Sequence, residues 1–422
     1  MKRKITLILS GLSIAVLLMY SGISPVRAAV DKTYDQLKML VDVMGYIQES
    51  YVEERQSKDL INGAIKGMVK TLDPFSQFME PEVYKEMKTE TDGQFGGLGI
   101  RISIKSDWLT VVTPMPGTPA IKAGILPDDK IIKIEGVSTQ GITVEEAVKK
   151  LRGNPGTKVT ITVARESAKE PIDFTLTREI IKIETIMGKM LESNIGYIKL
   201  SEFNANSERD LSKKLAELSK LGMKSLIFDL RNNPGGLLDI AVDVCREFIG
   251  DSKTIVYTQG RRAESRRDYY AKAKAPYQSL PMIVLVNRGS ASGSEIVAGA
   301  VQDLKRGLIV GTTTFGKGSV QSVFPINDGY GLRLTTAKYY TPAGRSIHRD
   351  EKTGIGGVTP DVMITVPPET EVKLYSQAEE LYAPGKEPES MVKKQDRVED
   401  TVLQRSIELM KAREIFSGMN DK

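Results

Sequence analysis

Residues 282–304 read MIVLVNRGSASGSEIVAGAVQDL, and this stretch decides the fold of the longest part of the chain. Five apolar residues are followed by a turn of glycine and serine and then by a segment with helical spacing. A buried strand that turns directly into a helix is the repeating unit of an α/β layer. Similar units recur after residue 179, so we expect a mixed, mostly parallel sheet over residues 179–366, with strands at 195–200, 226–230, 282–286 and 308–310 and helices at 208–221, 237–248 and 295–304.

A chain of 422 residues is too long for one ordinary domain, since domains usually have ~100–200 residues. Residues 91–178 predict a β-rich, α+β module, with strands at 109–113 and 158–163 and a helix at 144–151. Residues 30–90 predict a helical region. Residues 367–422 predict a charged, proline-marked linker and a last helix at 401–416, for which a solvated tail and a subunit contact are both open.

The first 29 residues have the features of an export segment. Three basic residues at positions 2–4 precede an uncharged run at 5–23, and Val26 and Ala28 suit the positions just before a signal peptidase cleavage site. The run is also nearly long enough to span a bilayer uncleaved. Residues 1–29 therefore predict a signal peptide or a membrane anchor, and a chain that works secreted, in a periplasm or on the outer face of the membrane.

Two scarce residue types exclude whole classes of chemistry. Cys245 is the only cysteine and His348 the only histidine, so an intrachain disulfide and a His/Cys metal cluster are excluded by count. Cys245 is predicted to pack in a helical core, and His348 lies in a charged stretch predicted as a mobile loop, which argues against a Ser-His-Asp site. The net charge of +5 is small for this length and argues against a nucleic-acid partner. We expect neither metal nor cofactor.

Ser292 lies where the predicted strand 282–286 gives way to a helix. Its hydroxyl would face the helix N-terminal amides, which favour developing negative charge. The same residue, with Glu295 three positions later, also fits a helix capping box. A serine nucleophile needs a base, and without His348 that base would be a lysine whose pKa is lowered by burial.

Lys317 is the leading candidate for this base. It lies between Gly316 and Gly318, just past a predicted strand and in surroundings poor in charge, although a lysine between two glycines is most often in a surface turn. Gln321 follows four residues later and would project from the same face of a strand, where it could hold the lysine amine. It could equally be an ordinary polar strand residue.

Residues 289–296 (GSASGSEI) and 315–321 (FGKGSVQ) resemble the active-site pair of the carboxyl-terminal processing, or tail-specific, serine proteases. Further phrases of that family follow in family order at 72–76 (LDPFS), 229–236 (DLRNNPGG) and 339–346 (YYTPAGRS). The resemblance spans residues 34–366 and implies a crotonase-like protease core.

This resemblance implies a role for each matching residue. The middle serine of the family motif attacks, which corresponds to Ser292, while Lys317 is the base and Gln321 orients it. The oxyanion hole would comprise the amide of Gly293 and one amide from Gly235 or Gly236, with the choice between the last two open. Many relatives carry alanine where this chain has Gly293, which leaves the required amide in place.

Residues 115–120 (MPGTPA), 123–125 (AGI) and 128–136 (DDKIIKIEG) resemble the PDZ domains of bacterial proteases. The loop Gly97, Leu98, Gly99 and Ile100 then falls where such domains bind a terminal carboxylate. The implied partners are proteins or peptides with accessible, apolar C-termini, which would gate cleavage. Arg152 is our candidate for relaying tail binding, although a cation before a turn is ordinarily just solvated.

Two other functions share parts of this pattern. A secreted PDZ scaffold with an inactive protease half would show damage at the motif positions, and none is visible. A sensory protease that cleaves one regulated partner would use the same chemistry and stays open. Relatives often dimerise through terminal helices like those predicted at 34–70 and 401–416, so the resemblance also implies a homodimer.

Overall fold

The computed structural model describes residues 34–115, 117–350, 352–367, 369–371, 373–374, 377 and 398–420. The chain divides into two compact units, one ending at Phe78 and one beginning at Met79. The predicted export segment, residues 1–29, lies outside the described residues. Within the described ranges, no helix is both long enough and apolar enough to cross a membrane.

The first unit consists of helices α1 (34–50) and α2 (Ser57–Lys70), a turn, and the first two residues of strand β1 (Gln77–Met79). Asp73 shapes the turn, because its Oδ1 accepts the N–H groups of Phe75 at 2.8 Å and Ser76 at 2.9 Å. The LDPFS motif at 72–76 therefore forms an Asx turn. Several apolar side chains of α1 are exposed, and the homodimer stays a prediction.

The second unit begins with helix α3 and a β-rich module. Strands β3, β4, β5, β7 and β8 form one antiparallel sheet, and β2 pairs with β9 as a two-stranded stem. The helix predicted at 144–151 is confirmed as α5, which begins with a capping box at Thr143. The elements are α3 (Pro81–Asp92), β2 (Gln94–Gly97), β3 (Ile100–Lys105), β4 (Trp108–Pro114), α4 (Pro119–Lys122), β5 (Lys130–Ile134), β6 (Val137–Ser138), α5 (Val144–Leu151), β7 (Lys158–Ala164), β8 (Ile172–Thr177) and β9 (Glu179–Lys182).

A six-stranded sheet follows, in the order β10-β11-β12-β15-β16-β19. Strand β10 is antiparallel to β11, and the other four pairings are parallel. Each strand and helix predicted after residue 179 is present within about two residues of its expected bounds. These elements are β10 (Ile186–Met190), β11 (Ile195–Leu200), α6 (Ser207–Lys220), β12 (Ser225–Asp229), α7 (Leu238–Phe248), β15 (Met282–Val286), α8 (Gly293–Asp303), β16 (Leu308–Gly311) and β19 (Val362–Met363).

Both faces of this sheet are buried, which explains why its strands are continuous apolar runs. Alternate residues of β15 point to opposite sides: Val284 packs with helices α6, α7 and α8, whereas Ile283 and Leu285 pack with the last helix, Thr401–Asn420. The last helix is therefore not a solvated tail, because Val402, Ile407 and Met410 cover the sheet of their own chain. Ile415 and Phe416 of the same helix are exposed, and a subunit contact through it stays a prediction.

A second, antiparallel sheet was not predicted from the sequence. Strand β18 pairs with both β13 and β17, and β13 also pairs with β14. These strands are only partly buried and mix polar with apolar residues, so they lack continuous apolar runs. The strands are β13 (Thr254–Gly260), β14 (Arg267–Tyr270), β17 (Ser319–Pro325) and β18 (Gly331–Tyr340).

The parallel strands β12, β15 and β16 all end at one edge of the six-stranded sheet. The loops after them contain the turn 230–236, the serine-rich turn 287–292 and the segment 312–318, respectively. Ligand and active sites of open α/β sheets lie at this carboxyl edge. The parallel topology thus brings the three predicted motifs of the protease half together.

Candidate active site

Ser292 occupies a strained turn between β15 and α8. Its φ of 51° and ψ of −109° differ from the extended backbone of an ordinary helix N-cap. Such a conformation is costly for a residue with a side chain and persists where the surroundings enforce it, as at the nucleophile elbow of other hydrolases. The backbone conformation of Ser292 is therefore not explained by a helix-capping role alone.

Glu295 joins the serine turn to the lysine segment. Its fully buried carboxylate accepts the backbone N–H of Ser292 at 2.9 Å and that of Lys317 at 2.8 Å. It also accepts the N–H of Gly316 at 2.7 Å and the hydroxyl of Thr314 at 2.6 Å. Burial raises the pKa of Glu295, and these four donors oppose that effect. All four groups donate, so they fit the ionised form.

Tyr339 provides a second link between the same two segments. Its ring is buried, and its hydroxyl lies 3.0 Å from the carbonyl oxygen of Ser292 and within hydrogen-bonding distance of the carbonyl oxygen of Lys317. Burial raises the pKa of this phenol well above its ordinary value, so it remains a donor. Glu295 binds the N–H groups and Tyr339 the carbonyls of the same pair, which fixes the Ser292 backbone relative to that of Lys317.

Lys317 is partly buried, and that burial lowers its pKa. The charge of Arg333 lowers the pKa further, and Glu295 acts in the opposite direction. A lowered pKa increases the neutral fraction that can act as a base. Gln321 donates to the hydroxyls of Ser319 at 2.9 Å and Thr335 at 3.3 Å, so it connects β17 to β18. Its orienting role toward Lys317 stays a prediction.

The glycine turn after β12 lies directly against the serine turn. A Cβ on Gly235, which has a φ of 98°, would lie 2.7 Å from Ser292 Cβ and 2.8 Å from the Gly293 nitrogen. A Cβ on Gly236 would collide with the carbonyl oxygen of Phe203. The two predicted parts of the oxyanion hole are therefore neighbours, and glycine is required at both turn positions by close backbone approach.

The N–H of Gly235 donates to Asn233 Oδ1 at 2.9 Å. Asn233 also fixes the serine turn, because its carbonyl oxygen accepts the N–H of Ala291 at 3.0 Å and the hydroxyl of Ser294 at 2.9 Å. With the Gly235 amide engaged in this way, Gly236 is the one we propose below as donor to the predicted oxyanion hole.

A buried ion cluster anchors the start of the glycine turn. Arg231 pairs with Asp229 at 2.6 Å and with Asp400, at the start of the last helix, at 2.8 Å. Lys199 lies 3.9 Å from Asp229 and donates to the Arg231 carbonyl oxygen at 3.1 Å. Burial disfavours the Asp229 carboxylate, but Arg231 and Lys199 outweigh it and hold its pKa well below the usual range. The cluster links the end of β12 to the last helix.

The predicted tail-binding loop lies in the β-rich module, between β2 and β3. Leu98 is buried, and the carbonyl oxygens of Leu98 and Gly99 accept the N–H groups of Ala120 at 3.0 Å and Met115 at 2.8 Å. Arg152 stacks on the ring of Phe95 in β2, 4.2 Å from its centroid. The structure therefore places Arg152 against the stem strand of its own module and not beside Ser292 or Lys317.

His348 lies closer to the lysine segment than the sequence suggested. Its backbone nitrogen is 2.6 Å from the position of a Cβ on Gly318, and its buried Nδ1 has no hydrogen-bond partner in the described part of the chain. Sequence reasoning also underestimated Glu295, which it considered only as a cap, and Tyr339, which it saw only within a family phrase. Glu295 is the single charged residue in the stretch 289–301, and this isolation was the sequence signal that could have indicated a buried role.

Models of three protein families match different parts of this chain. The family model of peptidase family S41 matches residues 194–364, a PDZ domain model matches 110–165, and a model of the activating protease CtpB N-terminal domain matches 20–83. The chain is 40% identical over 371 residues to a carboxy-terminal-processing protease of Bartonella bacilliformis, covering 87% of this chain and 84% of the relative. It belongs to the carboxyl-terminal processing proteases.

Other members of the carboxyl-terminal processing protease family are similar over most of their length. A carboxyl-terminal-processing protease of a Synechocystis species is 37% identical over 344 residues, which cover 80% of this chain and 78% of the relative. A solved photosystem II D1 C-terminal processing protease is 32% identical, with a TM-score of 0.45 over 76% of this chain and 85% of its own. The family predicted from the motifs is confirmed, and the S41 match contains Ser292, Lys317 and the glycine turn.

Proposed function

We propose that this chain is an exported endopeptidase that recognises protein C-termini through its PDZ domain and cleaves peptide bonds by a Ser-Lys mechanism. The observation that carries the proposal is the double link between the Ser292 and Lys317 segments through Glu295 and Tyr339. A structural cap would not need the strained Ser292 backbone or a partly buried lysine with a lowered pKa. Family membership and the S41 match support a serine peptidase with a crotonase-like core.

In the proposed reaction, the neutral amine of Lys317 takes the hydroxyl proton of Ser292 while Ser292 Oγ bonds to the substrate carbonyl carbon. The resulting oxyanion accepts hydrogen bonds from the backbone N–H groups of Gly293 and Gly236. The scissile C–N bond then breaks, and the Lys317 ammonium gives its proton to the leaving amine. This leaves an acyl ester on Ser292.

Water completes the cycle. It gives one proton to Lys317 as its oxygen bonds to the acyl carbon, and the ester C–O bond breaks as Ser292 recovers its proton. The products are a new C-terminal acid and free enzyme. Lys317 takes part in every proton transfer of the cycle.

Alanine substitutions test the assignment of base and nucleophile. Ser292→Ala and Lys317→Ala should each abolish peptide cleavage, while His348→Ala should retain it. His348 is the informative control because its ring nitrogen is buried beside the lysine segment. Substantial cleavage by Lys317→Ala, or loss of cleavage in a folded His348→Ala, would contradict the Ser-Lys mechanism.

Tail recognition is tested separately, with one substrate carrying either a free or an amidated C-terminus. The loop Gly97–Ile100 is proposed to bind the free carboxylate, and Arg152 to relay its binding through Phe95. We expect faster cleavage of the free tail and loss of that difference in Arg152→Ala. Equal rates for both tails in the native protein would refute the gate while leaving the chemistry intact.

Export is proposed from the basic and apolar pattern of residues 2–28, which lie outside the described residues. N-terminal sequencing of the protein recovered from the membrane and soluble extracytoplasmic fractions tests this part. Recovery of the full-length chain in the cytoplasm would contradict it.

A further inference from the structure

A short loop lies between the PDZ stem and the glycine turn of the active site. It comprises residues 202–207 (EFNANS), between β11 and α6, and is called the joint loop below. The stem strands β2 and β9 connect the PDZ module to the protease core, and both chain crossings meet this loop. Its contacts fall into three groups.

The first group holds the chain entering the module. The N–H of Ala205 donates to the Thr91 carbonyl oxygen at 3.1 Å, and Asn206 Nδ2 lies 3.2 Å from the carbonyl oxygen of Asp92 and 3.3 Å from that of Gly93. Gly93 has a φ of 65°, and a Cβ there would lie 2.5 Å from the Asn204 side chain. The end of α3 and the start of β2 are thus pressed closely onto the joint loop.

The second group holds the chain leaving the module. The hydroxyls of Thr185 and Ser207 are 3.0 Å apart, and Ser201 donates its N–H to the Thr185 carbonyl oxygen at 2.9 Å. The N–H of Ile183 donates to the Gly93 carbonyl oxygen at 2.9 Å, which ties the two crossings to each other. The joint loop therefore contacts both ends of the stem.

The third group reaches the active site. Phe203 donates its N–H to the Gly235 carbonyl oxygen at 2.9 Å and accepts the N–H of Leu237 at 2.8 Å, so it brackets Gly236 in a β-bridge. A Cβ on Gly293 would lie 3.0 Å from the Phe203 ring. Both glycines proposed to donate to the oxyanion are thus in close contact with one residue of the joint loop.

Hydrogen bonds within the loop make these contacts act together. Asn206 donates its N–H to Asn204 Oδ1 at 2.9 Å, and Asn204 donates its N–H to Ser207 Oγ at 2.9 Å. Asn204 and Ser207 are almost completely buried. Asn206 itself is half-buried. Satisfied buried hydrogen bonds such as those of Asn204 and Ser207 make a network rigid, so we expect a displacement at Asp92 or Gly93 to be passed on to Phe203.

We propose that Asn206 is a positioning residue that sets the geometry of the oxyanion hole from the stem of the PDZ domain. It acts through Phe203, which brackets Gly236, and it touches no reacting atom. This inference rests on the proposed function, because it assigns a position-setting role within that site. It makes the stem, and hence the placement of the module, a determinant of transition-state binding.

Asn206→Asp tests the proposal without changing the shape of the side chain. The substitution replaces the Nδ2 amino group, which donates to both carbonyl oxygens, by a charged oxygen that can only accept. We expect kcat to fall by about 10- to 100-fold, since small displacements of an oxyanion donor cost rates of this order. KM for a short peptide should stay within about twofold, because such effects act on the transition state. Asn206→Ala should fall between the native protein and Asn206→Asp.

A peptide boronate separates positioning from general damage. Boron bonded to Ser292 Oγ places an oxygen in the oxyanion hole, so its affinity should fall by the same factor as kcat. Asn327→Asp, an exposed asparagine in a turn of the same core, should match the native protein in both measurements. Kinetics are taken per folded protein, with folding checked by circular dichroism.

Two results would overturn the inference. Native kcat and boronate affinity in Asn206→Asp would show that the joint loop does not set the hole, and a loss confined to KM would assign Asn206 to substrate binding. Either result leaves the proposed function standing. A native protein without any Ser292-dependent cleavage would instead remove the proposed function itself.

Discussion

Glu295 Oε2 accepts the backbone N–H of Lys317 at 2.8 Å, and the same oxygen accepts the backbone N–H of Ser292 at 2.9 Å. One buried atom therefore spans two loops that follow different strands of the parallel sheet. This carboxylate therefore holds the backbone of the proposed nucleophile next to that of its proposed base. Replacing Glu295 by glutamine exchanges one of its two accepting oxygens for an amide nitrogen.

Glu295→Gln is expected to lower both stability and kcat. The amide nitrogen must face two N–H groups, or one N–H and the Thr314 hydroxyl, so at least one buried donor loses its acceptor. The expected loss is about 1–3 kcal/mol in the free energy of unfolding. Urea unfolding and peptide cleavage measure the two effects. Glu264→Gln, at an exposed position, is the matched control, and native stability in Glu295→Gln would contradict the described hydrogen bonds.

The lowered pKa of Lys317 predicts the direction of the pH dependence. In the proposed mechanism the neutral amine is the active form, so kcat/KM should rise with pH through an apparent pKa below the ordinary lysine value of about 10.4. Lys317→Arg should be inactive across this range, because the guanidinium stays charged. Lys338→Arg, at an exposed position of β18, should keep the native profile. An unchanged acid limb in an active Lys317→Arg would exclude Lys317 as the base.

Gly235→Ala tests the close approach of the glycine turn to Ser292. The added Cβ would meet the Ser292 Cβ at 2.7 Å, and the displaced turn should reduce kcat by about 100-fold or more. Gly222→Ala is a matched control because Gly222 also has a positive φ, 88°, but no atom within 4 Å of an added Cβ. It should lose some stability and keep its activity. Equal activity in the two variants would show that the turn tolerates a side chain.

Asp229→Asn is expected to destabilise the fold in a pH-dependent manner. The folded pKa of Asp229 lies below the unfolded value of about 3.9, so the unfolded chain takes up the proton first. The stabilisation is complete above that value and is lost as pH falls toward the folded pKa. Breaking a buried pair costs about 3–5 kcal/mol near neutral pH.

Urea unfolding of both proteins between pH 7 and about 3 measures this difference. The gap in unfolding free energy should shrink as the pH falls. Asp251→Asn, at an exposed carboxylate that pairs with Lys253, should show no such gap. A constant gap at all pH values would assign the effect of Asp229→Asn to packing instead of charge.

The parallel sheet could be predicted from the sequence because both its faces are buried and its strands are short apolar runs between helices. The bounds of β15, Met282–Val286, follow directly from that pattern. The antiparallel sheet could not be predicted in the same way, since strands such as β17 are only partly buried and mix polar with apolar residues.

Some residues of the candidate site could likewise be predicted from the sequence and others could not. Ser292 and Lys317 could be selected because the chemistry limits the residue types and the family phrases identify the positions. The Glu295 and Tyr339 links could not, because each joins residues distant in sequence. Local spacing favoured a helix cap for Glu295, and the long-range contact decides what the carboxylate does. His348 was underestimated for the same reason, since its packing against Gly318 is a tertiary contact.

The pairing of Arg231 with Asp400 has a consequence for the order of synthesis. The strand end that leads into the glycine turn receives its second carboxylate from the start of the last helix. A chain emerging from the ribosome contains all the proposed catalytic residues by residue 321, yet Arg231 lacks this partner until residue 400 follows. The glycine turn therefore receives this support later than the proposed catalytic residues are made.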